Sequence, residues 1–305
     1  MRWRAVAAYS SPPVREAAFG FRLVRAPSPV KERYQEIDDK NESLRELFAQ
    51  HSKAREFLDR FEMSWVYHDN ALEGVVYAPP ELQAALHPDG PPDASMVPAV
   101  LDIRNQKAAI DYIREEAKSA GRKQSAVSMA VLKRIHDLLL GNTPEAQAAR
   151  AAAERRERTE KELNKERDRA GLRRDMPLHR TYFHDIAQPA KIPALLEKLV
   201  EFTGSTEFRE YHPIKQAATF QFQFLQIFPF SEHSGKVGRM ASNLLLQRHG
   251  YLPCVIHSID RQRYYEAFRG TPSTFRTLLM DAMENSLDNG LKFFRDQARH
   301  FRAIN

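Results

Sequence analysis

Two helix-like runs joined by a short loop rich in glycine and serine constrain this chain more than any other feature. Upstream, Ile214 to Ile227 carries an aromatic stripe at Phe220, Phe224 and Ile227. Its spacing of four and three is the helical period. Downstream, Met240 to Gln247 is apolar and ends near His249-Gly250, a helix stop. Between them lies Phe228-Pro-Phe-Ser-Glu-His-Ser-Gly-Lys-Val-Gly-Arg239. Ser234, Gly235 and Gly238, opening a helix, form a recipe for an anion site. Backbone N–H groups point outward at a helix N-terminus, and glycine lets a phosphate come close. Lys236 and Arg239 add positive charge, and Glu232 is placed to hold a divalent cation beside the phosphates.

The 305 residues suffice for one large or two ordinary domains. A hydrophobic content of 42% supports a buried core, and 28% charged residues keep the surface solvated. The net charge of +6 suits a nucleotide or an acidic protein surface. The basic residues are scattered among acids, which argues against nucleic acid. The single cysteine, Cys254, sits in an apolar Pro-Cys-Val-Ile context and reads as core. One cysteine allows no disulfide framework, which fits a cytoplasmic setting. No stretch approaches the roughly 18 apolar residues of a membrane span.

The loop resembles the signature of the Fic (Fido) family, His-Pro-Phe-x-(Asp/Glu)-Gly-Asn-Gly-Arg-x-x-Arg. Pro229, Phe230, Glu232, Gly235 and Arg239 match without gaps. The resemblance implies a mainly helical, all-α bundle with one small β-hairpin flap. It also implies Mg2+ bound by the acid, ATP or another nucleotide held by the turn and its arginines, and a histidine as general base. Four positions depart: Phe228 replaces that histidine, His233-Ser234 replace Gly-Asn, and Lys236 replaces the first arginine. Phenylalanine accepts no proton, so general-base chemistry from position 228 is excluded. Lysine is a point charge rather than a planar fork, so phosphate holding is less oriented.

Further matches extend the resemblance over roughly Lys31 to Phe294. Tyr67-His-Asp-Asn-Ala-Leu-Glu-Gly74 resembles the family's inhibitory helix motif, (Ser/Thr)-x-x-x-Glu-(Gly/Asn), with Asp69 at the Ser/Thr position. There the glutamate pairs with the last arginine of the signature, so Glu73 is expected to meet Arg239. A regulatory lock and a plain structural ion pair both remain open. Tyr211-His-Pro-Ile214 resembles the start of the helix before the signature, with His212 as a cap. Asp260-Arg-Gln-Arg-Tyr-Tyr265 resembles the family segment whose tyrosines face adenine; Tyr264 and Tyr265 stand between that role and helix packing.

The remaining chain divides into an extended arm (1–30), N-terminal helices with the inhibitory-like motif (31–98) and a Fic-like core (99–305). Helices are expected over Val30 to Gln50, Ser52 to Asn70, Val100 to Ala117, Val127 to Leu140, Pro189 to Phe202 and Thr274 onward, and Leu86 to Pro98 reads as loop. His136 reads as a polar-face histidine. Within an insertion near 145–170, 13 of the 16 residues from Glu154 to Arg169 are charged. Glu154 with Arg158 and Glu157 with Lys161 stand at the favourable i, i+4 spacing. This is a solvated projecting helix, read as a spacer or a partner-capturing element. Gly171-Leu-Arg-Arg leads toward the target-docking flap at 178–183. A homodimer is common in the family.

Three functions follow. In one, the altered loop runs chemistry other than standard AMP transfer, with His233 and Glu232 as catalytic candidates and Ser234, Gly235, Lys236, Gly238 and Arg239 holding a phosphate-bearing ligand. In another, the chain is an inactive Fic-fold binding module. In the third it is a helical interaction module with an inert loop.

Overall fold

The computed structural model describes residues 30–87, 93–119, 125–141, 171–177 and 184–304, with side chains through residue 297. The expected arm, the charged helix 154–169 and the flap 178–183 lie outside the described residues. Eleven α-helices follow one another among the described residues. They are α1 (Val30–Gln50), α2 (Ala54–Leu72), α3 (Pro79–Leu86), α4 (Val97–Ser119), α5 (Met129–Leu139), α6 (Ile192–Thr203), α7 (Thr206–Glu210), α8 (Pro213–Ile227), α9 (Ser234–Arg248), α10 (Arg261–Ala267) and α11 (Pro272–Ile304). The fold is all-α, as expected. The strand pairing found is an isolated antiparallel bridge between Leu172 and Phe230.

The two helices flanking the loop form the centre. α8 packs along α9, and α9 in turn packs on α4 and α5, while α11 covers α8 and α1. Every residue of α9 from Ser234 to Leu246 is buried. A helix buried all round belongs in a core, and its polar side chains must find partners there. Ser242 donates to the Ala217 carbonyl at 2.8 Å, and Asn243 accepts from the Cys254 N–H at 2.7 Å. The predicted aromatic stripe is the core face of α8, with Phe220 and Phe224 fully buried and 5.4 Å apart. Gly238 faces the same seam. A Cβ there would sit 3.0 Å from Phe224, so glycine sets the close approach of α8 and α9.

α9 begins at Ser234, so the loop's Gly-Lys-Val-Gly-Arg stretch forms its first turns, in line with residues that open a helix. Two sequence expectations need correction. Residues 94–96 are a short 3-10 turn and α4 starts at Val97. Pro98 sits in its first turn, where a missing N–H costs nothing, so it reads equally as loop or helix start. His136 is 4% exposed, not on a polar face.

The C-terminal half of α2 is docked by histidines. The rings of His68 and His257 stack at 4.2 Å, 12° from parallel. His68 Nδ1 accepts the Ser258 N–H at 3.2 Å, an interaction a protonated Nδ1 cannot make. Burial, then His257, pushes the His68 imidazole down to about 4. The unfolded chain therefore binds more protons below about pH 6.5. Stability is expected to be fully present above pH 6.5 and to fall by about 1–3 kcal/mol as pH drops toward 4, after allowance for solvent screening. Denaturant titrations across that range should show this slope reduced in His68→Phe.

Candidate anion and ligand site

Asp69 and Glu73 lie four residues apart at the end of α2. That spacing places both carboxylates on one helix face, one above the other. Both reach Arg239 on α9. The Arg239 Nε donates to the Asp69 carboxylate, and Nη2 donates to Glu73 Oε1 at 2.7 Å. Nη2 also reaches the Asp69 carbonyl and Nη1 the Tyr264 hydroxyl, each at 3.3 Å. The second Asp69 oxygen accepts from Gln106 of α4 at 2.8 Å. Burial alone lowers the Arg239 pKa, but Asp69, Tyr264 and Glu73 raise it well above its usual value, so the guanidinium is charged. The expected pairing of Glu73 with Arg239 is present, and Asp69 adds a second carboxylate.

Glu73 also lies on Gly235. A Cβ at position 235 would overlap Oε1 of Glu73 and sit 3.0 Å from Arg239 Nη1. The first turn of α9 thus carries a carboxylate where its N–H groups and macrodipole favour an anion. The negative C-terminal end of α2 faces the positive N-terminal end of α9. The Leu72 carbonyl at that C-terminal end accepts from Arg261 Nε and from the Tyr265 hydroxyl, each at 2.9 Å.

Around this contact lies a cavity bounded by Glu73, His184, Phe228, Gly235, Arg239 and Tyr264, among others. It holds about 10 Å³, the lower limit for one water. That is far below the roughly 300 Å³ of a small-molecule pocket. Tyr264 and Tyr265 are both buried, and the Tyr264 hydroxyl accepts from Gln221 at 3.1 Å. In this arrangement both serve packing and hydrogen bonding.

The loop itself is tightly folded. Phe228 and His233 both take left-handed backbone (φ 49° and 59°), which costs a non-glycine residue about 1–2 kcal/mol. Phe228 is buried at the end of α8, and His233 precedes α9. The Ser234 hydroxyl is used within the loop, accepting the Phe230 N–H at 2.8 Å and donating to its carbonyl at 2.9 Å. Lys236 is 3% exposed and turns toward α4, its Nζ 3.8 Å from Asp102. Asp102 also accepts from the Tyr77 hydroxyl. Glu232 is exposed. Among the described residues no three His, Cys, Asp or Glu side chains converge as a metal site. Glu232 does not line the cavity; a lone exposed carboxylate is compatible with Mg2+, which is commonly held by one or two carboxylates plus ligand phosphates. Burial, then Lys236, pushes the His233 imidazole below its usual range. His233 does not line the cavity with Arg239; His184 does.

Sequence reasoning missed a strap that holds the loop. The last carbonyls of a helix lack intrahelical partners, and Arg173, His184 and Ala187 supply them for α8. Leu225 O faces His184 Nε2 at 3.0 Å, Gln226 O accepts the Ala187 N–H at 2.9 Å, and Ile227 O accepts from Arg173 Nη2 at 3.3 Å. Arg173 Nε donates to Phe228 O at 2.7 Å, and the Arg173 N–H to Pro229 O at 2.9 Å. A cation at a helix C-terminus also suits the macrodipole. The family spacing Gly-x-x-Arg points to Arg174, one residue along; the signal for Arg173 was its own adjacent position.

His136 stacks on Phe230 at 4.1 Å, and its buried Nε2 has no hydrogen-bond partner. His212 caps α8 as expected, accepting the Ile214 N–H. Burial pushes the Cys254 thiol up to about 12, so it is inert core.

Comparisons with known proteins agree with this geometry. Residues 126–246 match the model of the Fic/DOC family. A "Protein adenylyltransferase Fic" of Aedes aegypti is 21% identical over 262 residues, covering 85% of this chain and 47% of that protein. One of Drosophila grimshawi is 29% identical over 104 residues, covering 33% of this chain and 22% of that one. The chain thus spans just under half of the mosquito relative's length. Among solved structures, Fic-1 (residues 134–508) of C. elegans aligns with a TM-score of 0.64 at 18% identity, covering 86% of this chain and 71% of the other. A Fic-domain signaling protein of Bacteroides thetaiotaomicron aligns with a TM-score of 0.63 at 19% identity, covering 85% and 97%. At these identities the likeness shows the fold.

Removing one partner from a buried ion pair costs about 3–5 kcal/mol, because it strands a charge. The Asp69 side chain is 3% exposed and that of Glu73 20%. Asp69→Ala is therefore expected to lower unfolding free energy by about 3 kcal/mol. Glu73→Ala should cost clearly less, since solvent can reach the freed cation there. Chemical denaturation of the two variants checks the order.

Proposed function

We propose that this chain is a non-canonical Fic-fold protein whose loop, Phe228 to Arg239, takes a phosphate-bearing ligand, with a nucleotide and Mg2+ as the leading candidate. The observation that carries this reading is the Glu73 carboxylate seated on Gly235 and paired with Arg239. A carboxylate there stands in for a phosphate oxygen, so the position already suits an anion. Arg239 and the first turn of α9 hold the phosphates once Glu73 leaves, and Glu232 is the acid available to Mg2+. The adenylyltransferase relatives favour ATP among nucleotides. Glu73 acts as an intramolecular inhibitor in this reading, since it fills the anion position and closes the cavity.

Standard AMP transfer through a base at the loop's first position is not part of the proposal. Phe228 is buried, apolar and unable to take a proton. The same residue supports a second reading, a binding module that holds the ligand without turnover.

Calorimetry of ATP with magnesium, on wild type and Glu73→Gly, tests the proposal. Glu73→Gly is expected to bind at least tenfold more tightly, a difference of about 1.4 kcal/mol. Absence of heat in both proteins would remove the nucleotide role.

A further inference from the structure

We propose that His184 is the general base of this site, taking the place of the histidine that the loop lacks. This rests on the reading that the site binds a nucleotide. His184 lines the same cavity as Phe228, Gly235, Arg239 and Tyr264. Its ring packs against Phe268 with centroids 5.1 Å apart. Its Nε2 lies 3.0 Å from the Leu225 carbonyl. A carbonyl oxygen accepts but never donates, so Nε2 carries the ring proton and Nδ1 is the basic nitrogen of the neutral imidazole. Leu225 lies in the last turn of α8, three residues before Phe228. The carbonyl that fixes the tautomer thus belongs to the helix end from which the motif's own base would project.

The other two histidines near the loop are placed differently. His233 does not line this cavity, although it feels Glu73 as well as Lys236, Asp102 and Glu232. His136 is buried beneath the loop against Phe230. Burial holds His184 below the usual imidazole range, so it is neutral and able to accept a proton at pH 7.

A target hydroxyl oxygen bonds to the α-phosphorus of ATP while its proton passes to Nδ1 of His184. The bond from that phosphorus to the bridging oxygen breaks, and pyrophosphate leaves. The proton then returns from His184 to solvent. With Glu73 seated the cavity is closed, so the step belongs to the state in which Glu73 has swung away.

The test uses the full chain carrying Glu73→Gly, with MgATP as the probe. Two readouts are taken: binding heat, and the pyrophosphate released as the AMP group passes to water or to the protein's own hydroxyls. His184→Gln retains an N–H at the reach of Nε2 for the Leu225 carbonyl but has no basic nitrogen. Added to Glu73→Gly, it is expected to lower pyrophosphate release at least ~100-fold while the binding heat stays. His184→Ala should fall similarly and recover in part with added imidazole. Pyrophosphate release by the His184→Gln double variant equal to that of Glu73→Gly overturns the assignment and leaves nucleotide binding standing. Binding heat without any pyrophosphate release by Glu73→Gly also overturns it and favours a binding module. No binding heat in Glu73→Gly overturns both this assignment and the nucleotide reading beneath it.

Discussion

A single buried cation, the Arg239 guanidinium, is the point on which α2, α4, α9 and α10 converge. Asp69 and Glu73 reach it from α2, Tyr264 from α10, and Gln106 of α4 completes the second Asp69 oxygen. A charge buried this deeply is tolerated when it is paired and its donors are used. The pairing fixes the register of α2 against α9 and brings the Glu73 carboxylate onto Gly235. The structural ion pair and the blocked anion position are therefore one object. A residue at 235 larger than glycine would push Glu73 off its seat.

The loop depends on a second constraint, the unsatisfied carbonyls at the end of α8. Arg173, His184 and Ala187 supply donors to five successive carbonyls from Leu225 to Pro229. That hold keeps Phe228 in a left-handed conformation which a phenylalanine does not favour. It also carries His184 into the cavity in one tautomer. The strap gives the loop its shape and supplies the imidazole that the motif lacks.

Much of this was legible in the sequence, because it rests on spacing. The 3.6-residue period located the helices, and the resemblance to the inhibitory motif pointed Glu73 to Arg239; that Asp69, four residues earlier, reaches the same guanidinium was not read from the sequence. Lys236 was not legible in the same way. Its direction follows from the helix starting at Ser234, which turns residue 236 toward Asp102 rather than the loop mouth. The Ser234 hydroxyl looked free for a phosphate but closes the loop on Phe230. His184 and Arg173 act through backbone carbonyls distant in sequence, and no local pattern announces such partners. His136 shares the buried face of α5 with Leu132 and Leu139, at i−4 and i+3, a spacing that the polar-face reading passed over.

The central claim is that the position over Gly235 and beside Arg239 is an anion site held by Glu73. A crystal structure of Glu73→Gly grown with MgATP tests it most directly. The account predicts phosphate oxygens over the first turn of α9 and within hydrogen-bond distance of Arg239, with Asp69 still paired to the same guanidinium. Nucleotide bound elsewhere, or a collapsed cavity with Arg239 turned wholly to Asp69, would contradict it.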